Sequence, residues 1–156
     1  MKKRILALIL GFLLLAVNLY AEDGDLIVEG DVGVGTTAPN TKVDIAGDIA
    51  LRAGAFTAVN VNNNNINIGG TSFIRITGPT AAFTITGISG GVDGKVVILY
   101  NATTYNMTVA NNSTMSTTSN RILTLSGSSF ATSGTGAITL IYDSTASCWI
   151  VSSRQL

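Results

Sequence analysis

Two short segments in the first third of the chain repeat the same arrangement of apolar residues around a Gly-Asp pair. The letters V-E-G-D-V-G-V run from Val28 to Val34, and I-A-G-D-I-A-L runs from Ile45 to Leu51, seventeen residues later. Alternating apolar positions are typical of strands, and Gly-Asp favours a tight turn between them. Each copy is too short to bury a core alone, so the pattern predicts stacking on neighbouring units or on other copies of the chain. A coincidental Gly-Asp turn in an ordinary sandwich is the alternative.

The chain from Glu29 to Leu51 reads E-G-D-V-G-V-G-T-T-A-P-N-T-K-V-D-I-A-G-D-I-A-L. This stretch resembles the glycine-rich repeat of trimeric phage tail fibres and related secreted bacterial stalk proteins. The positions that match the family pattern are Gly33, Gly35, Thr36, Thr37, Pro39, Lys42, Val43, Asp44, Ile45, Gly47 and Ile49. The resemblance implies an intertwined homotrimer or fibre and says little about a ligand. The residues predicted to make assembly contacts are Val28, Val32, Val34, Val43, Ile45, Ile49 and Leu51.

The first twenty-one residues have the pattern of a secretory signal peptide. Lys2, Lys3 and Arg4 precede an apolar run from Ile5 to Val17, and Ala21 is a small residue at a suitable cleavage position. A membrane anchor is the alternative, but the run is shorter than the roughly 20 apolar residues needed to span a bilayer. We therefore expect an exported protein, secreted or held at the cell surface, with no membrane span after cleavage.

Composition favours a β-rich structural protein over a nucleic-acid-binding one. Charged residues make up 12% of the chain, and the formal net charge is zero. Three of the basic residues fall in the predicted signal peptide, so the remainder is slightly acidic and lacks the basic surplus that binds nucleic acid. Disorder is the alternative for so polar a chain, but Val, Ile and Leu recur at alternating positions throughout.

Short strand candidates, separated by Gly, Asn, Thr and Ser clusters, continue to the end of the chain, and no segment after residue 21 has a helical period. The prediction is an all-β fold, with short stacked or intertwined strands in a stalk-like segment followed by a compact β-sandwich or β-prism-like C-terminal domain. We place the signal peptide at residues 1–21, the glycine-rich stalk-like or assembly segment at 22–70 and the β-rich domain at 71–156.

A run of four asparagines, Asn62 to Asn65, interrupts the apolar pattern. In stacked strands, aligned asparagines can hydrogen-bond along a ladder, with Val59, Val61 and the isoleucines at 66 and 68 on the inside. In an ordinary domain, the same residues make a polar loop that tolerates left-handed backbone geometry. The ladder would imply a trimer or a solenoid.

The segment from Gly94 to Ser152 carries G-K-V-V-I-L-Y-N, N-R-I-L-T-L-S-G and T-G-A-I-T-L-I-Y-D-S-T-A-S-C-W-I-V. It resembles small β-rich domains near phage tail-fibre tips and in bacterial surface proteins, which implies a closing hairpin at Leu140, Tyr142, Asp143 and Trp149. The residues themselves predict a turn at 143–147 between two strands long enough to pair. Tyr100, Tyr105 and Trp149 are the candidate ligand-facing aromatics. For Trp149 and Tyr142, a role in the core or at a trimer interface is favoured over a sugar-binding platform.

The residue inventory leaves little room for catalysis. The chain contains no His, which excludes Ser-His-Asp and Cys-His chemistries and His-based metal sites. A carboxylate pair remains, with Asp93 and Asp143 as candidates, but acids in turns usually cap the backbone. Asp23 and Asp25 are too few for a calcium site. We predict no enzyme activity, no catalytic residues, no metal and no cofactor.

Cys148 is the only cysteine, so an intrachain disulfide is impossible, and its apolar neighbours favour burial in a strand over pairing between chains. The sequence thus indicates a secreted bacterial structural protein whose partner is itself, as a homotrimer or a filament subunit. The alternative is a surface adhesin or receptor-binding tip that recognises cell-surface glycans. A polysaccharide-degrading spike is a third hypothesis.

Overall fold

The computed structural model describes residues 28–155, and this part of the chain is all-β, as predicted. It divides into two compact units, with the division between Ile49 and Ala50. The predicted signal peptide lies outside the described residues. No helix among the described residues is long and apolar enough to cross a membrane.

Among residues 28–49 of the first unit, two short strands, β1 (Val32–Val34) and β2 (Val43–Ile45), pair in parallel. Val32 lies opposite Val43, and Val34 lies opposite Ile45. Paired residues are therefore eleven positions apart in the chain, whereas the two Gly-Asp copies are seventeen positions apart. The second Gly-Asp copy shares only its first residue, Ile45, with β2, and its remaining residues form no strand. The two copies are therefore not equivalent strand repeats, since Val32–Val34 of the first copy form β1 whereas the matching residues 49–51 of the second form no strand.

The local backbone geometry of this unit explains why glycine occupies positions 33 and 35 of the glycine-rich motif. A Cβ atom on Gly33 would collide with the carbonyl oxygen of Thr36, and Gly35 has a φ of +75°, which side chains disfavour. The loop back to β2 is held by Asp44, whose Oδ2 accepts a 2.9 Å hydrogen bond from the backbone N–H of Asn40. The spacing of these glycines therefore follows from a tight turn out of β1.

The second unit contains two sheets. The six-stranded sheet has the order β3-β5-β7-β11-β12-β9, and the four-stranded sheet has the order β10-β8-β6-β4. Their bounds are β3 (Ala53–Thr57), β4 (Asn62–Asn63), β5 (Phe73–Thr77), β6 (Phe83–Ile85), β7 (Val96–Asn101), β8 (Met107–Val109), β9 (Ile122–Leu123), β10 (Phe130–Ala131), β11 (Gly136–Asp143) and β12 (Cys148–Gln155). A single 3-10 turn, Thr118–Asn120, precedes β9.

From β3 to β8 the chain passes back and forth between the two sheets. Strands β3, β5 and β7 pair in parallel in the six-stranded sheet, and β4, β6 and β8 pair in parallel in the four-stranded sheet. Partner residues in neighbouring coils lie about 20–25 residues apart, a period typical of solenoids. The expected two-layered β domain is therefore built from three parallel coils, and consecutive strands do not pair until the hairpin at its end.

The hydrophobic core lies between the two sheets. Side chains alternate across each strand, so every second residue of β5, β7 and β11 points inward. These residues meet the inward side of β6 and β8 in one continuous cluster. Its fully buried members are Ile74, Ile76, Ile85, Ile88, Val97, Leu99, Met107, Val109, Ile122, Ile138, Leu140 and Trp149.

The asparagine run supports a corner and forms no ladder. In the parallel pairing of β4 with β6, Asn62 lies opposite Thr84 and Asn63 lies opposite Ile85. The buried Asn63 side chain donates to the carbonyl oxygens of Val59 and Val61, at 3.1 and 2.9 Å, and thereby fixes the turn between β3 and β4. Both of these valines are exposed, whereas Ile66 and Ile68 are buried. Of the four residues predicted to point inward, only the two isoleucines do so.

Polar side chains also fill the interior of the corners. Asn65 has a φ of +47°, and its Oδ1 accepts hydrogen bonds from the backbone N–H of Thr117 and from Asn120 Nδ2, each at 2.9 Å. Buried Thr86 lies 2.8 Å from Ser116 through their hydroxyl oxygens. Every buried side-chain polar atom in the described residues has a hydrogen-bond partner. The low charge of the chain thus coexists with a polar interior that is fully satisfied.

The predicted closing hairpin is confirmed. Strands β11 and β12 are antiparallel, with Tyr142 opposite Trp149 and Asp143 opposite Cys148. Asp143 Oδ1 accepts hydrogen bonds from the backbone N–H groups of Thr145 and Ala146, at 2.8 and 3.0 Å, and so caps the turn.

The predicted domain boundary at residue 70 differs from the division in the structure, because β3 and β4 pair with strands of the second unit.

Candidate interaction surfaces

Trp149 is a core residue. Its side chain is completely buried, its Nε1 donates a 2.8 Å hydrogen bond to the carbonyl oxygen of Ile88, and its ring meets Tyr142 edge-on with the centroids 5.2 Å apart. The suggestion that Trp149 faces a ligand is therefore wrong. The reason is the pleat of β12, which points Trp149 and Val151 inward.

Tyr100 lies on the opposite side of the same sheet, where it is half-buried. Its ring stacks on Phe73 of the neighbouring strand with 6.2 Å between centroids, and the guanidinium carbon of Arg75 lies 5.4 Å from the Tyr100 centroid. Tyr100 also borders a shallow depression of about 230 Å³, whose other lining residues are Thr135, Gly136, Ala137 and Gln155. An aromatic ring beside an open polar depression has the chemistry needed to stack on a sugar.

Tyr105, the third candidate aromatic, lies in the loop between β7 and β8 and is 39% exposed. Its backbone carbonyl oxygen accepts a 2.8 Å hydrogen bond from the Nδ2 of Asn101, which holds the loop in place. Its ring is therefore available to a partner, but no aromatic contact joins it to Tyr100 among the described residues.

The residues predicted to make assembly contacts are mostly exposed. Within the first unit, Val32 and Ile45 are half-buried, and the others are at the surface. In the second unit, Leu51 precedes β3 and is also exposed. The exposed set is Val28, Val34, Val43, Ile49 and Leu51. A two-stranded pair has no second layer to cover such side chains, so their burial by a partner stays a prediction.

A second apolar surface was not predicted. The residues on the outward side of the six-stranded sheet include Phe73, Val96, Ile98, Ile141 and Ile150, which we call the outer apolar face. Val96 and Ile141 are 41% and 38% exposed, and they lie directly opposite each other. The sequence signal was the unbroken run V-V-I-L-Y from Val96 to Tyr100, since strands with one face in water normally alternate apolar with polar residues.

The two candidate acids meet at one turn. Asp93 Oδ1 accepts a 2.9 Å hydrogen bond from the backbone N–H of Ser144, next to the turn that Asp143 caps. The hydrogen bonds from Ser144 lower the pKa of Asp93 from its ordinary value. Both carboxylates accept hydrogen bonds from backbone N–H groups of this turn, so each one caps the backbone.

Cys148 is buried, as expected from its apolar neighbours. Burial raises the pKa of its thiol, and the negative charge of Asp143 adds to this effect. The thiol therefore stays protonated at neutral pH and is a poor nucleophile. Within the described residues, no group of three or more His, Cys, Asp and Glu side chains could hold a metal ion.

Comparison with known proteins adds no assignment to these surfaces. No protein-family model matches the chain, and no curated protein matches it.

Proposed function

We propose that this chain is a secreted bacterial structural protein that assembles with copies of itself, as a homotrimer or as the subunit of an extracellular fibre. The observation that carries the proposal is the described part of the first unit, residues 28–49, in which valines of a two-stranded pair lie at the surface. Such a pair is marginally stable in water by itself and gains stability when another surface covers it. The tail-fibre-like glycine motif and the signal-peptide pattern of residues 1–21 favour the same conclusion.

Self-assembly predicts that the stability of the protein depends on its concentration. We expect the thermal unfolding midpoint of residues 22–156, the protein without its predicted signal peptide, to rise over about a hundredfold increase in protein concentration, because association stabilises only the folded state. Circular dichroism at each concentration is the measurement. A reversible transition whose midpoint is the same at every concentration would contradict the proposal.

An adhesin or receptor-binding tip is the second candidate function. The stack of Phe73, Tyr100 and Arg75 beside the shallow depression favours it, since aromatic rings and guanidinium groups both contact sugars well. Under this hypothesis the protein gives a signal on a glycan array, and Tyr100→Ala weakens it about tenfold or more. Leu125→Ala is the matched control, because Leu125 is exposed elsewhere. An array without signal would remove this candidate.

A further inference from the structure

The central strands of the six-stranded sheet are apolar on both sides, although the second unit covers only one. In β7, Val97 and Leu99 are fully buried in the core, whereas Val96, Ile98 and Tyr100 point the other way. In β11, Ile138 and Leu140 point inward and Ile141 points outward. Strands of this composition are typical of sheets that are covered on both faces. Strands β7 and β11 therefore have the composition of strands in a sheet that is covered on both faces, although the second unit covers only one face.

The outer apolar face forms a connected surface. Ile150 pairs with Ile141, and Ile141 pairs with Val96, so these three side chains form one row across three strands. In the next row, Ile98 pairs with Phe73. Paired side chains on one face of a sheet lie about 5 Å apart, which leaves no room for water between the members of a row. The rows therefore act as one apolar patch rather than as scattered exposed residues.

The patch carries almost no charge, so it has no electrostatic means of selecting a charged partner. Between the strand ends, Arg75 is the only charged residue at the outward positions of β5, β7 and β11, and it lies over the Tyr100 ring. The other outward residues of these strands are Ala, Thr and the apolar members already named. A surface of this kind complements another surface of the same kind, as at an interface between identical subunits.

The size of the face fits such an interface. The named residues lie on β5, β7, β11 and β12, and the small outward residues of β3, which are Ala53, Ala55 and Thr57, extend this surface by one strand. Five strands about 4.8 Å apart, with five to six residues each at a rise of about 3.3 Å, give a planar footprint of roughly 450 Å². Two such faces together give roughly 900 Å² of planar area, and the relief of the side chains brings this to the threshold of about 1,000 Å² for a specific interface. We propose that the outer apolar face is the surface through which copies of this chain contact each other.

This inference rests on the proposed self-assembly and assigns its contact surface to the second unit as well as to the exposed valines of the first. The test compares wild type with Ile141→Glu, whose charge would be placed in the middle of the contact, and every protein is made as residues 22–156, without the predicted signal peptide. A second variant, Val96→Lys combined with Ile141→Glu, puts opposite charges directly across from each other, which supports the sheet while it removes the apolar contact. Val61→Glu is the matched control, because Val61 is exposed and adjoins β4 of the other sheet.

Sedimentation velocity gives the mass of each protein, and the Trp149 emission spectrum reports whether the core is intact. We expect the wild type and Val61→Glu to associate equally, and both face variants to associate about tenfold more weakly or worse with an unchanged spectrum. If the folded face variants associate as strongly as the control, this inference is overturned and the proposed function stands. A monomeric wild type overturns both, whether or not the face then binds a glycan.

Discussion

The substitution Trp149→Ala is expected to lower the unfolding free energy of the second unit by about 3–5 kcal/mol, the range for removal of a buried large aromatic side chain. Trp149 has no exposed surface, and three kinds of interaction end with its removal: packing in the core, the edge-on contact with Tyr142 and the hydrogen bond to Ile88. Urea unfolding followed by far-ultraviolet circular dichroism, at one fixed protein concentration, measures the loss.

Two further variants show where the loss comes from. Trp149→Phe keeps a ring in the core but leaves the Ile88 carbonyl without its donor, so we expect a smaller loss of about 1–3 kcal/mol. Leu125→Ala removes an exposed side chain and should change stability by less than about 0.5 kcal/mol. If Trp149→Ala were no worse than Leu125→Ala, the placement of Trp149 between the two sheets would be wrong.

The substitution Asn101→Asp is expected to have a comparable effect at neutral pH, about 3–5 kcal/mol, because it buries a charge with no opposite partner. Asn101 is completely buried, and its Nδ2 donates to the carbonyl oxygens of Tyr105 and Gly134, at 2.8 and 2.7 Å. In the variant, a negatively charged aspartate oxygen would replace the donating Nδ2 and would face the partial negative charges of both carbonyl oxygens. Asn106→Asp is the matched control, since exposed Asn106 uses only its Oδ1, as an acceptor from the Gly134 N–H.

The Asn101→Asp penalty should depend on pH in one direction. Burial and the facing carbonyl oxygens disfavour the charged form, so the pKa of the new carboxyl is raised in the folded state above its unfolded value of about 3.9. The charge penalty is therefore absent below the unfolded pKa and grows as the pH rises towards the folded pKa. Urea unfolding at a series of pH values should show the gap between this variant and Asn106→Asp widening with pH. A gap that is constant with pH would contradict the account.

The strands were readable from the sequence because each is a short apolar run between turn residues. The prediction for the hairpin of β11 and β12 was correct for this reason, since Asp143 to Ser147 is a dense turn signal between two long runs. Strands β4 and β10 are not evident in the sequence, because each has only two residues, too few to show an alternation, and β4 consists of asparagines. Their place in the sheet depends on pairing with distant residues, which local propensity does not report.

The coiled path of the chain was not predicted. A turn that returns the chain to the same sheet and a corner that sends it to the other sheet use the same Gly, Asn and Thr residues. Asn63 illustrates the point, because its side chain fixes the corner after β3 through local hydrogen bonds to Val59 and Val61, which an asparagine in an ordinary turn can also make. The Gly-Asp repeat was misleading for a related reason, since the strand that pairs with β1 overlaps its second copy only at Ile45.

The candidate surfaces were only partly predictable. The runs V-V-I-L-Y and C-W-I-V are apolar at both odd and even positions, so the sequence cannot tell which side of each strand meets the core. The structure assigns Trp149 to the inside and Tyr100 and Ile98 to the outside. Once it is known which side chains of each strand face the core, the same lack of alternation identifies the outer apolar face.

The most direct test of self-assembly is the mass in solution of residues 22–156, the protein without its predicted signal peptide, measured by light scattering with negative-stain microscopy of the same sample. Self-assembly predicts either a discrete particle of three chains or filaments many chains long, because exposed apolar surfaces occur on both units. A mass equal to that of one chain at micromolar concentration would contradict it.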